Sequence, residues 1–117
     1  MNLKHLRLAA DQPEPPAHLG PDGALLWRDV AREYGITDPA GLALLGTAAE
    51  CLDRVRAAQV AIRQHGECVT DRYGQVKINP ACGLEKDARA GMLAALKALH
   101  LDLEPLRDRP GRPSGGR

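Results

Sequence analysis

Three stretches of this chain place apolar residues at helical spacing, and glycine or proline punctuates each of them. In the first, Leu26, Val30 and Tyr34 recur every fourth residue, with Leu25 and Trp27 beside them. Arg28, Asp29, Arg32 and Glu33 fall on the other side. This predicts an amphipathic helix from Pro21 or Asp22 to Tyr34. Proline suits the first helical position, where its missing N–H has no intrahelical partner, and Gly35 supplies a left-handed stop.

Asp38-Pro39 is a second start signal, an N-cap carboxylate followed by proline. From there to His65 the pattern predicts one long helix closed by Gly66. At 1.5 Å per residue it should be roughly 40 Å long. Leu45, Ala49, Leu52, Ala58 and Ile62 lie broadly on one side, and Leu44, Ala48, Cys51 and Val55 widen the stripe. So broad an alanine-rich face is expected to meet more than one neighbour.

Between Glu67 and Ile78 the period changes. ECVTD and QVKI carry β-branched residues on either side of Arg72-Tyr73-Gly74, which predicts a short hairpin. Two short strands alone are marginal, so this hairpin should lean on a helix or on a neighbouring subunit. Asn79-Pro80 then opens a third helix. Leu84, Ala88, Met92, Leu96 and Leu99 recur at three- and four-residue steps, flanked by Leu93 and Ala95, to an end near His100.

The expected fold is therefore mainly α: three helices, the long second and the third forming an antiparallel pair, with a short β-hairpin between them. Positions 1–20, broken by Pro13, Pro15 and Pro16, should form a flexible arm. Positions 21–104 should form a helical oligomerisation domain. Positions 105–117, which end in the Pro, Gly and Arg string RDRPGRPSGGR and have no apolar periodicity, should be a disordered basic tail.

Composition sharpens this in one respect. Apolar residues reach 44% of the 117, but aromatic residues only 3%, with one Trp, two Tyr and no Phe. At about 25 cal/mol per Å² of buried apolar surface, an Ala and Leu core of this size is thin for a lone monomer. Oligomerisation would supply the missing burial. The residues expected to build core and subunit contacts are Trp27, Leu45, Leu52, Ile62, Leu84, Leu93, Leu96 and Leu99.

The formal net charge of +1 carries no global signature of a nucleic-acid binder. Its distribution does more: beyond Pro105 stand Arg107, Arg109, Arg112 and Arg117 against Asp108 alone. Arginines in a flexible tail can follow a phosphate backbone by releasing counterions, so Arg107, Arg109 and Arg112 are candidate DNA contacts. Arg54, Arg56 and Arg63 on the long helix and Arg72 and Lys77 on the hairpin complete the candidate set. A helix-turn-helix reading fails, because the second helix is far longer than a recognition helix and lacks base-reading side chains near its start.

No catalytic constellation is visible. The one serine, Ser114, lies in the tail, and no cysteine has an evident histidine partner. Glu50 with Asp53, and Glu85 with Asp87, sit among basic residues and read as surface charge balance. There is no phosphate-binding glycine loop. His65 and Cys68 are the one loose pair among possible metal ligands, far short of a zinc set. Neither cofactor nor metal is expected, and the chain should not be an enzyme. Three cysteines without paired spacing, no secretory signal and no bilayer-spanning stretch fit a reduced, cytosolic protein.

The ordered strings PPAHLGPDGALLWRDV, YGITDPAGLALL, AAECLDRVRAAQVAIRQHG, VTDRYGQVKINP and EKDARAGMLAALKALHLDLEPLRDR resemble the small subunits of tailed-phage terminases. The likeness is to the short branch without an evident helix-turn-helix. It spans roughly Pro15 to Arg109, and it departs at His100, where that family often has glycine. The resemblance implies a homo-oligomeric ring in the cytoplasm of a bacterial host. Such a ring engages double-stranded viral DNA and recruits the large subunit, which holds the ATPase motor and nuclease. A helical protein–protein interaction module or small regulator without a DNA role is the alternative from the residues alone, and neither reading involves a membrane.

Overall fold

A computed structural model describes residues 13–101. The order of elements is α1 (Pro21–Tyr34), α2 (Pro39–His65), β1 (Cys68–Thr70), β2 (Val76–Ile78) and α3 (Pro80–Ala98). This is the expected mainly α fold, with the hairpin between the second and third helices. Arg107, Arg109 and Arg112, and the expected tail as a whole, lie outside the described residues.

α2 and α3 begin on local side-chain caps, and α1 ends on a glycine. The Asp38 carboxylate accepts the Gly41 N–H at 2.8 Å, closing the first turn of α2. Asn79 does more than cap α3. Its side-chain oxygen accepts from the Ala81 N–H at 2.9 Å, and its amide donates to the Gly66 carbonyl at 2.9 Å. Its own N–H donates to the Glu67 carbonyl at 2.7 Å. Buried, with its side-chain oxygen and nitrogen each hydrogen-bonded, Asn79 ties the end of α2 to the start of α3. α1 ends on Gly35, whose φ of 63° is the left-handed conformation glycine adopts without steric penalty.

The α2–α3 pair is antiparallel: contacts run from Gly66 with Asn79 through Gln59 with Glu85 to Cys51 beside Gly91. The seam between these helices is built of small residues. Ala81, Ala88 and Ala95 of α3 are buried seven residues apart, and α2 answers with Ala48, Cys51, Val55 and Ala58. Alanine lets helix axes approach toward the near end of the usual 8–10 Å range, but each side chain removes little apolar surface from water. Leu45 and Val55 are the largest fully buried side chains. The thin core expected from composition is what the packing shows.

α1 lies on α2 by a face rotated from the expected one. Gly23, Trp27 and Ala31 are buried, Leu26 and Val30 are half-buried, and Leu25 and Tyr34 face outward. Trp27, at 3% exposure, carries the largest area to be gained by burial. It packs with Ala31, Ile36, Leu45 and Ala49, and Leu99 and Leu101 close over this cluster.

Of the residues expected to form core or subunit contacts, Trp27 and Leu45 are core. Leu52, Ile62, Leu96 and Leu99 are half-buried. Leu84 and Leu93 take no part in the core of the single chain, at 64% and 58% exposure. They were displaced from the seam by the alanines at positions 81, 88 and 95, which fit the close α2–α3 approach as leucines would not.

The hairpin pairs Cys68 with Ile78, Val69 with Lys77 and Thr70 with Val76. Its turn is held by Asp71, whose Oδ1 accepts the Tyr73 and Gln75 N–H groups at 2.8 and 2.9 Å. Gly74, at φ 82°, supplies the left-handed residue. Directly paired residues point to one face, so Cys68, Thr70, Val76 and Ile78 share a side. No described helix covers that side: Val76 and Ile78 are each 71% exposed.

Candidate nucleic-acid and subunit interfaces

Of the basic residues nominated from sequence, the five described ones divide between α2 and the hairpin. Arg56 Nε donates to Asp22 of α1 at 3.1 Å and its guanidinium also reaches Gln59 at 3.1 Å. Lys77 pairs with Asp71 across the hairpin at 3.2 Å. Both cations are therefore spoken for inside the chain. Arg63 is exposed near the C-terminus of α2, and Arg72 lies over the Tyr73 ring at 5.1 Å. Arg54 lines a groove between α2 and α3. Among the described residues, Arg54, Arg63 and Arg72 make no ion pair.

That groove is open, about 460 Å³ in volume, and almost wholly apolar. Ala57, Ala58 and Ala61 of α2 face Ala81, Leu84 and Ala88 of α3 across it. Arg54 stands on the α2 wall and Asp87 on the α3 wall. α1 contributes nothing to it. Sequence periodicity placed Ala58 in the broad stripe of α2 and Ala88 in that of α3, and the groove itself was not foreseen. Its only signal was the abundance of alanine along α2.

The carboxylates expected to balance surface charge divide in function. Glu50 takes His18 at 2.7 Å and Glu85 takes Arg89 at 2.7 Å. The Arg89 guanidinium, helped by the Gln59 amide, holds the Glu85 carboxyl below its ordinary range. The Gln75 N–H, with that of Tyr73 and the Lys77 ammonium, does the same for Asp71. Asp53 differs from all of these. It accepts the Gly20 N–H at 2.7 Å and the Gly23 N–H at 2.8 Å, and so caps α1 from the middle of α2.

No group of three or more His, Cys, Asp or Glu that could hold a metal ion occurs among the described residues. The three cysteines are free: Cys51 buried, Cys82 half-buried and Cys68 exposed on the hairpin. No described helix is long and apolar enough to cross a membrane. No family model matches this chain, and neither a characterised protein nor a solved structure matches it.

Proposed function

We propose that this chain is the small subunit of a tailed-phage terminase, an oligomeric adaptor that engages viral DNA and recruits the large subunit. In that role it performs no chemistry, needs no cofactor and works in the cytoplasm of the bacterial host. The large subunit supplies the ATPase and the nuclease.

One observation carries the assembly part of this reading. A chain with an alanine core leaves Leu84, Leu93, Val76 and Ile78 each more than half exposed. Apolar surface in excess of core is what a subunit presents when its neighbours complete its burial. The family assignment rests on the ordered strings between Pro15 and Arg109. The DNA role rests on the arginines outside the described residues, with Arg54, Arg63 and Arg72 as further contacts.

Light scattering at physiological salt tests the assembly: a single species of many subunits is expected, and a clean monomer or dimer counts against a ring. Titration of labelled duplex DNA at two salt concentrations tests the DNA role. Affinity should fall steeply between about 50 and 200 mM salt if several arginines neutralise phosphates.

A second reading, a helical protein–protein interaction module, is favoured by the engagement of Arg56 and Lys77 within the chain. It uses the same exposed apolar faces for a different protein. Absence of salt-sensitive DNA binding selects it.

A further inference from the structure

Leu84 and Leu93 stand nine residues apart on α3. At 3.6 residues per turn that separation is roughly two and a half turns, which puts them on opposite sides of the helix. Leu84 borders the alanine groove between α2 and α3, and Leu93 does not. One patch meeting its own copy about a two-fold axis would bury one of these sides and leave the other in water. A head-to-tail contact uses both.

We propose that the occupant of the α2–α3 groove is the Leu93 side of α3 from a second copy of this chain, in a repeating head-to-tail contact. The inference rests on the assembly part of the reading above and is independent of DNA. Shape supports it: a floor and walls of Ala57, Ala58, Ala61 and Ala88 accept a protruding leucine at close helix–helix approach. Charge supports it too. Lys97, one turn beyond Leu93, and Lys86, two turns before it, lie on the Leu93 side and are exposed. Asp87 stands exposed on the groove wall formed by α3. None of the three makes an ion pair among the described residues.

Seating Leu93 in the neighbouring groove with its lysine edge toward Asp87 pairs these charges. It also keeps the lysines away from Arg54 on the opposite wall, so charge selects one orientation of the incoming helix. Each copy then offers one groove and one Leu93 side. Repetition of such a contact closes a ring when its rotation divides a full turn.

Two single variants at exposed positions separate the halves of this contact. Ala57→Trp fills the groove and leaves the Leu93 side intact. Leu93→Glu spoils that side and leaves the groove intact. With helix content verified by circular dichroism, light scattering should show each variant as a single subunit where the wild-type chain is a multi-subunit species. An equimolar mixture should form pairs and stop there, because one sound groove meets one sound Leu93 side.

A wild-type assembly whose mass neither variant changes overturns the groove assignment and leaves the ring reading standing. A wild-type monomer overturns both. A mixture that remains monomeric overturns the head-to-tail geometry. Should Ala57→Trp fail to fold, the charge pair replaces it. Asp87→Lys and Lys97→Asp should each weaken assembly about two- to fivefold, and the double variant should restore it. Failure of that restoration overturns the pairing.

Discussion

Asp53 Oδ1 accepts the backbone N–H of Gly23 at 2.8 Å, thirty residues earlier in the chain and at the third position of α1. Its Oδ2 accepts from Gly20, the residue that caps the same helix and has no side chain with which to do so. A carboxylate on α2 therefore performs the task that a local Ser, Thr or Asp performs at most helix starts, and it places negative charge at the positive end of the α1 dipole.

Asp53→Ala should lower the unfolding free energy by about 1–2 kcal/mol. Asp53→Asn, which keeps one accepting oxygen, should lose less. Gly23→Ala should be worse than its size suggests. An added Cβ would stand 2.7 Å from the Ala49 carbonyl oxygen and 2.5 Å from Asp53 Oδ2. Urea denaturation of the three variants checks the order. Equal stability of Asp53→Ala and the wild type would mean that water replaces the cap without loss.

Trp27 is buried, yet its Nε1–H has no hydrogen-bond partner among the described residues. Trp27→Ala should cost about 3–5 kcal/mol through lost area and the cavity left behind. Trp27→Phe should cost far less, because it also removes an unpaired buried donor worth about 1–3 kcal/mol of penalty. As the chain's one tryptophan, Trp27 gives its own readout. Its emission should be blue-shifted in the native protein and move red in the same urea transition.

His100 is the one described non-glycine residue with positive φ, at 55°. It follows α3 at the position where a left-handed residue ends the helix, and its Cβ there is a steric cost. His100→Gly should raise stability by about 0.5–1 kcal/mol, the relief of strain being partly offset by the greater freedom of glycine in the unfolded chain. Thermal unfolding measures it, and a lower melting temperature in the variant would contradict the prediction.

Asp71 and Glu85 have carboxyl groups held below their ordinary range, Asp71 chiefly by the Gln75 N–H and Glu85 chiefly by Arg89. A depressed folded-state pKa contributes stability that is present above the unfolded value and is lost as pH falls through the folded one. Stability should therefore decline on acidification below about pH 4. Side-chain carboxyl shifts followed by NMR should titrate below the usual midpoint at both residues. Arg89→Ala should return Glu85 toward it and leave Asp71 unmoved.

Much of the backbone plan is legible before any coordinates. Asp38-Pro39, Asn79-Pro80, Gly35 and Gly66 act through their own dihedral limits and hydrogen-bonding groups, which neighbours in the chain are enough to satisfy. The same holds for the hairpin turn, where Asp71 and Gly74 fix the register locally. Which side of each helix is buried was less legible. On α1 the spacing of Leu26, Val30 and Tyr34 suggested one face, and the packing chose Gly23, Trp27 and Ala31. On α3 it passed over Leu84 and Leu93 for three alanines. Close helix approach rewards small residues, and hydrophobicity alone does not express that preference.

The sequence by itself determined where helices start and stop, the hairpin between the second and third of them, and a core too poor in large side chains to satisfy its apolar content. These follow from local sterics, capping and composition, which need no knowledge of distant contacts. Only the tertiary structure decided that Asp53 caps α1, that Arg56 and Lys77 are engaged within the chain, and that an alanine groove lies open between α2 and α3. Each of those depends on residues 6 to 34 positions apart being brought to hydrogen-bonding or van der Waals distance. Helix packing fixes such distances; the order of residues along the chain does not.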